Sequence, residues 1–307
     1  MARRLGGANR PRRLGGSRLS EAISGYLFIL PNFAGFIVFA VGPIAASFVL
    51  AFTRWDLFTP PVLIGAKNFV AMFRSPDFLI SMRQTLLFTV VNVPVQTAIA
   101  LAAALFLNRK TQGINLLRTL FLLPWATMPL ANTLTFQWMF NTDYGVFNHL
   151  LGYLGIAKVA WLSRPTMAFL GILTLNVWIF TGFHIIVLLS ALQNVPVSLL
   201  EAAQIDGADA RRRFLSITLP SISPILFYDM VVNLIGTLQV FDIAYVFNNG
   251  GPGRTTFFYN FMLYRTAFTY QDYSKACAMG LFQFVLIALF ALLAFRVAGR
   301  RVTYGQV

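Results

Sequence analysis

Long apolar runs separated by short polar segments recur along the chain. Six runs reach the ~20 mostly apolar residues that a helix needs to cross a bilayer. They are Gly25–Phe52, Thr85–Leu107, Leu120–Phe140, Thr166–Leu192, Ile222–Phe247 and Ala276–Val297. The pattern predicts an all-α, polytopic membrane protein with six transmembrane helices, forming one domain over residues 25–297. Pro31, Pro43, Pro94, Pro124 and Pro129 fall inside these runs. Proline is tolerated in membrane helices where neighbours satisfy the freed carbonyls, so kinks are expected there. The opening "MARRLGGANRPRRLGGSRLS" is basic and glycine-rich with no apolar stretch of its own, unlike a cleavable signal peptide. Residues 1–24 and 298–307 therefore read as cytoplasmic tails, the first of them disordered.

One polar segment is out of proportion. Residues 193–221, between the fourth and fifth runs, hold "EAAQIDGADARRRFLSITLP" from Glu201, including Asp206, Asp209 and Arg211–Arg213. Pro196 suits the start of a helix, and "VSLLEAAQID" reads as a short helix with Leu199, Leu200 and Ala203 as its apolar contacts. Gly207 can adopt the left-handed conformation that ends it. "ADARRRFLSIT" reads as a second short helix, broken before the next span by Pro220. The product is a two-helix elbow. Small residues at Ala202, Ala203 and Gly207 allow close backbone approach, and the charges around them suit a partner's groove. A loop resting its arginines on lipid phosphates explains the same composition.

The composition agrees with a membrane protein: 57% of residues are hydrophobic and 11% are charged, against about 25% charged in soluble domains. Mean hydropathy is +0.69. The net charge of +14 does not point to nucleic acid, because the basic residues are sorted by loop. With the N-terminus inside, fifteen of the 24 Lys and Arg lie on the inner side and nine on the outer, although the outer loops are longer. Both termini and the Glu201 segment are therefore expected to be cytoplasmic. Trp55, Trp138, Trp161 and Tyr144 lie where an outer aromatic belt would be. Cys277 is the only cysteine, so no intrachain disulfide can form.

Polar residues inside spans are functional candidates, since lipid penalises them. Asp229, Asn233 and Thr237 recur every four residues on one face of the fifth span, followed by Gln239 and Asp242. The fourth span offers Asn176, Thr181 and His184. Hydrogen bonding between helices would account for such residues with no solute involved. Amides, a hydroxyl and nearby aromatics such as Trp178, Phe180 and Tyr228 suit a sugar. A phosphorylated solute would call for arginine, which neither span contains. No phosphate-cradling G-x-x-x-x-G-K-[ST] loop is present. His149 and His184 are the only histidines and lack metal-ligand spacing. No catalytic set, metal site or cofactor of the chain's own is expected.

The spacing Glu201-Ala202-Ala203, three residues, Gly207, nine residues, Ile217, one residue, Leu219-Pro220 resembles the EAA loop of binding-protein-dependent ABC importer permeases. "FLLPWATMPLANTLTFQWMFNTDYGVFNHLLG" from Phe121 and "LQVFDIAYVFNNGGPGRTT" from Leu238 resemble the carbohydrate-uptake branch of that superfamily, similar to maltose and glycerol-3-phosphate permeases. The resemblance runs from about Tyr26 to Val297. It implies an importer subunit that forms the solute pathway, with no ATPase site of its own. Glu201, Ala202, Ala203, Asp206, Gly207, Ile217, Leu219 and Pro220 would form the coupling loop. Glu201 would pair with an arginine of a cytoplasmic ATPase, and Gly207 would keep the elbow tight. Asn176 would be a solute-contacting asparagine, with Asn233, Thr237 and Gln239 on the matching stretch of the fifth span. The implied partners are a second, different permease, two ATPase subunits that use ATP and Mg, an extracytoplasmic solute-binding protein, and the lipid membrane. Glycerol 3-phosphate or its diesters are the alternative cargo. A stand-alone secondary transporter or channel, or a membrane scaffold, are the alternatives from other classes.

Overall fold

The computed structural model describes residues 17–109 and 111–298. Most of both terminal tails, with Arg3, Arg4, Arg10, Arg12, Arg13, Arg300 and Arg301, lies outside the described residues, as does Lys110. The described chain is built from helices, apart from a two-residue antiparallel hairpin of Thr53–Arg54 with Val62–Leu63.

The first span is α1 (Ser17–Phe36), a π-helical turn at Ile37–Val41, and α2 (Gly42–Leu50). It begins at Ser17, inside the segment expected to be tail. Pro43 lacks an N–H, and its ring crowds the carbonyl four residues earlier. The π turn just before it widens the helix, with Gly42 N–H reaching back to the Ile37 carbonyl, so the span continues past the proline. After α3 (Lys67–Phe73), the second span is α4 (Pro76–Leu107).

The third predicted run is two helices. α5 (Ile114–Ala126) and α6 (Pro129–Met139) meet at a bend of 93°. Pro129 drives Met128 into the extended region, so the helix stops there. The groups freed at the break are covered locally. Thr127 Oγ1 and Asn132 Nδ2 both donate to the Pro124 carbonyl, at 2.8 and 3.0 Å.

After α7 (Val146–Tyr153), the fourth span is α8 (Pro165–Gln193), followed by α9 (Val197–Ile205) and α10 (Ala210–Arg213). The expected break at Pro220 is absent. α10 continues through a π turn at Phe214–Thr218 into α11 (Leu219–Leu238), one apolar helix from Ala210 to Leu238. The π turn stands at the same offset from Pro220 as the first does from Pro43, with Leu219 N–H on the Phe214 carbonyl. The fifth span also ends at Leu238 rather than Phe247. Phe241 leaves the helical region (φ −140°, ψ −61°) and Asp242 starts α12 (Asp242–Asn248), where an acidic residue favours a first turn. α13 (Tyr259–Tyr264) and the last span, α14 (Tyr273–Ala298), follow.

α8 lies at the centre, packed by α4, α5 and α11, with α12 against its N-terminal half. One core cluster joins Phe88, Phe140, Ile172, Leu175, Val240 and Phe247; another, toward the elbow, joins Ala104, Leu107, Leu188, Leu192 and Ile222. Trp161, expected in the outer aromatic belt, packs on the first cluster with its indole N–H on Asn148 Oδ1 at 3.0 Å. By contrast, the most apolar stretch of the first span buries no residue within the chain.

Candidate functional site: a polar cavity above a two-helix elbow

Along α4, Ser81, Thr85, Thr89, Asn92 and Gln96 are all buried; Ser81 and Thr85 meet α13, at Met262 Sδ and the Tyr259 N–H, and Asn92 meets the polar stripe of α11. Asn92 Nδ2 donates to Gln96 Oε1 at 2.9 Å and to Thr237 Oγ1 at 3.0 Å, and Thr237 Oγ1 donates to Asn233 Oδ1 at 3.1 Å. This chain of bonds ends in two buried amide donors without partners among the described residues, Gln96 Nε2 and Asn233 Nδ2. Leaving a buried donor unpaired costs about 1–3 kcal/mol, and both of these nitrogens are enclosed.

Both amides line a cavity of about 240 Å³ between α4, α6, α8 and α11. Asn176, Asn233, Thr237 and Gln239, singled out in the sequence, all lie on its wall, together with His184, Phe180 and Asp242. Asp242 makes no ion pair among the described residues. Among the described residues, no lysine or arginine lines the cavity. Two residues were not singled out in the sequence, Asn92 and Gln96. Their signal was present as polar residues on one helical face of an apolar run. Two suggested aromatics lie elsewhere. Trp178 lines a separate apolar groove between α4, α5 and α8, and Tyr228 is outside the cavity wall. Asp229, one turn below Asn233, is fully buried, and its Oδ1 lies 2.8 Å from His184 Nδ1.

Toward the other end, α8 leads to the elbow. Gly207 has φ +79°, and α9 closes with Gly207 N–H on the Gln204 carbonyl (3.1 Å) and Ala208 N–H on the Ala203 carbonyl (2.9 Å). These are the two bonds of a glycine-terminated helix. Asp209 caps α10 by accepting from Arg212 N–H at 2.7 Å. Arg213 Nη1 donates to Gln204 Oε1 at 2.6 Å and ties the two arms together. Glu201, Ala202, Asp206 and Gly207 are exposed; Ala203, Ile217, Leu219 and Pro220 are half-buried, Ile217 against the core. Glu201 and Asp206 form no ion pair among the described residues. Ile205, at 87% exposure, is an apolar side chain on the outer face of an otherwise charged tip.

A family model described as binding-protein-dependent transport system inner membrane component matches residues 96–303. The trehalose/maltose transport system permease protein MalF of Thermococcus litoralis is 37% identical, over 90% of this chain and 94% of its own. The sn-glycerol-3-phosphate transport system permease protein UgpA of Yersinia pestis is 31% identical, over 91% and 95%. The fold also matches a chain in the crystal structure of a bacterial alginate ABC transporter in complex with its alginate pentasaccharide-bound periplasmic protein. There the TM-score is 0.83 at 23% identity, covering 96% of this chain and all of that one.

Proposed function

The chain belongs to the family of binding-protein-dependent transport system inner membrane components, and from that premise we propose that its polar cavity passes a neutral carbohydrate and its elbow couples that passage to a separate ATPase. The observation that carries the reading is the chemistry of the cavity wall. It carries the amide residues Gln96, Asn176, Asn233 and Gln239, the hydroxyl residue Thr237 and aromatic faces, with an acidic group at the mouth (Asp242) and another behind the wall (Asp229). Hydroxyl-rich, uncharged solutes fit such a wall. A phosphate ester would meet carboxylates and no arginine.

On this reading the chain pairs with a second, different permease. An extracytoplasmic binding protein delivers the solute, and two ATPase subunits use ATP and Mg at the elbow. Both termini and the elbow face the cytoplasm. The chain brings no nucleotide site of its own. Import of glycerol 3-phosphate or a diester is favoured by one relative at 31% identity, but the charge of the wall opposes it.

The test is the complete transporter in liposomes with its binding protein, assayed for solute-stimulated ATP hydrolysis across neutral mono- and disaccharides, glycerol 3-phosphate and a diester. Stimulation by one or more neutral sugars is expected. Stimulation by the phosphorylated solutes alone would overturn the cargo assignment. Solute flux by the purified chain without an ATPase would overturn the coupling.

A further inference from the structure

His184 is almost wholly enclosed between α8 and α11, yet it is a wall of the cavity. Its Nδ1 lies 2.8 Å from Asp229 Oδ1. In the tautomer with Nδ1 donating to an Asp229 carboxylate, which can only accept, Nε2 carries a lone pair. Nε2 has no protein partner among the described residues. It is also absent from the enclosed unpaired atoms, unlike Asp229 Oδ2, so open space reaches it. Phe183 holds the ring edge-on, with centroids 5.4 Å apart. A histidine that served only to join two helices would have no reason to keep one nitrogen open to a polar cavity.

We propose that His184 reads the solute: Nε2 accepts the hydrogen of one hydroxyl of the passing sugar, and Asp229 is the positioning residue that fixes the ring and its tautomer. The proposal rests on the neutral-carbohydrate reading and deepens it by giving one hydroxyl a defined partner. A site that holds a hydroxyl in this way discriminates against the analogue that lacks it.

The experiment uses the complete transporter in liposomes. Apparent KM and kcat of solute-stimulated ATP hydrolysis are measured for the parent sugar and for each of its single-deoxy analogues. Three forms are compared: wild type, His184→Phe and Asp229→Asn. In wild type, one deoxy analogue is expected to show a KM raised about 3- to 10-fold, as for loss of one hydrogen bond. His184→Phe should raise KM for the parent by the same factor, leave kcat near wild type, and leave KM for that one analogue unchanged. Asp229→Asn, which keeps an acceptor for Nδ1, should fall in between. If His184→Phe does not assemble, His184→Gln is measured in the same way, with selectivity for that hydroxyl expected to shift. A substitution that raises KM equally for every analogue, or for none, overturns the proposal and leaves the cargo reading intact. Failure of every sugar to stimulate hydrolysis overturns both.

Discussion

At the scale of single residues, the seating of α5 on α8 depends on a glycine that carries no chemistry. A Cβ on Gly182 would lie 2.5 Å from the Phe121 carbonyl oxygen and 3.2 Å from the Leu122 Cα, both backbone atoms of α5. Its absence lets α5 seat against α8, close to the bend between α5 and α6. Gly182→Ala must push that backbone away, and overpacking of this kind costs about 1–3 kcal/mol. The expected result is a lowered midpoint of thermal unfolding for the detergent-purified complex, with wild-type solute preference in the fraction that assembles; an unchanged midpoint would refute the close contact. Gly182 is not legible in the sequence, because a glycine in an apolar run has no local signature. Asn176, Asn233, Thr237 and Gln239 are legible, because polar atoms in lipid-length runs stand out. Asn92 and Gln96 stand out equally but have no motif around them. The pairing of His184 with Asp229 spans 45 residues, and no periodicity within one helix reveals a partner on another.

At the scale of elements, hydropathy placed the membrane runs well and their ends poorly. The reason is proline. It was read as a breaker at Pro220, but the π turn at Phe214–Thr218 absorbs the missing donor and the ring, so the elbow's second arm and the fifth span are one rigid rod. At Pro129 no such turn intervenes, and the chain bends by 93° instead. Single-residue pattern cannot distinguish the two outcomes, because the difference lies in the hydrogen-bond register before the proline. A test follows for the rod. Deleting Ser216 removes the extra residue and forces α-helical register. The arm keeps nearly the same rotation about the axis, because the π turn had absorbed the deleted residue, but the Pro220 ring now meets the carbonyl four residues earlier and the rod must kink. The variant is expected to insert in the membrane at wild-type level but to lose solute-stimulated hydrolysis. Pro220→Ala combined with the deletion should restore both a straight helix and the coupling, since no ring is left to clash. A double variant that stays uncoupled would show that the π turn does more than carry the proline.

For the molecule as a whole, the arrangement of the elbow and the cavity along the same two helices decides how force could travel. α8 bears Asn176 and His184 and runs into α9; α10 continues into α11, which bears Asp229, Asn233 and Thr237. From His184 to the end of α8 at Gln193 is roughly 14 Å at 1.5 Å per residue. Any displacement of the exposed tip is thus delivered to both cavity walls through helices joined only by the three-residue turn at 194–196 and the tight turn at Gly207. Valine there would require a β-branched side chain at φ +79°, where no neighbouring atom lies within 4 Å to clash and the cost is therefore backbone strain of about 1–2 kcal/mol. Folding of the spans should survive it, whereas the shape of the elbow should not. Gly207→Val is expected to lower the ATPase recovered per permease about tenfold, the change that ~1.4 kcal/mol represents, while Gly207→Ala does so less because alanine is not β-branched. Glu201→Ala leaves the shape intact and removes the exposed carboxylate that the EAA resemblance pairs with an arginine. It should reach the same end through charge, at a cost on the order of 2–5 kcal/mol if that pair is buried on docking. Co-purification with tagged ATPase, and solute uptake into liposomes, measure both variants. Wild-type recovery and uptake in both would mean that the elbow is not where the two proteins meet, whatever the cavity does above it.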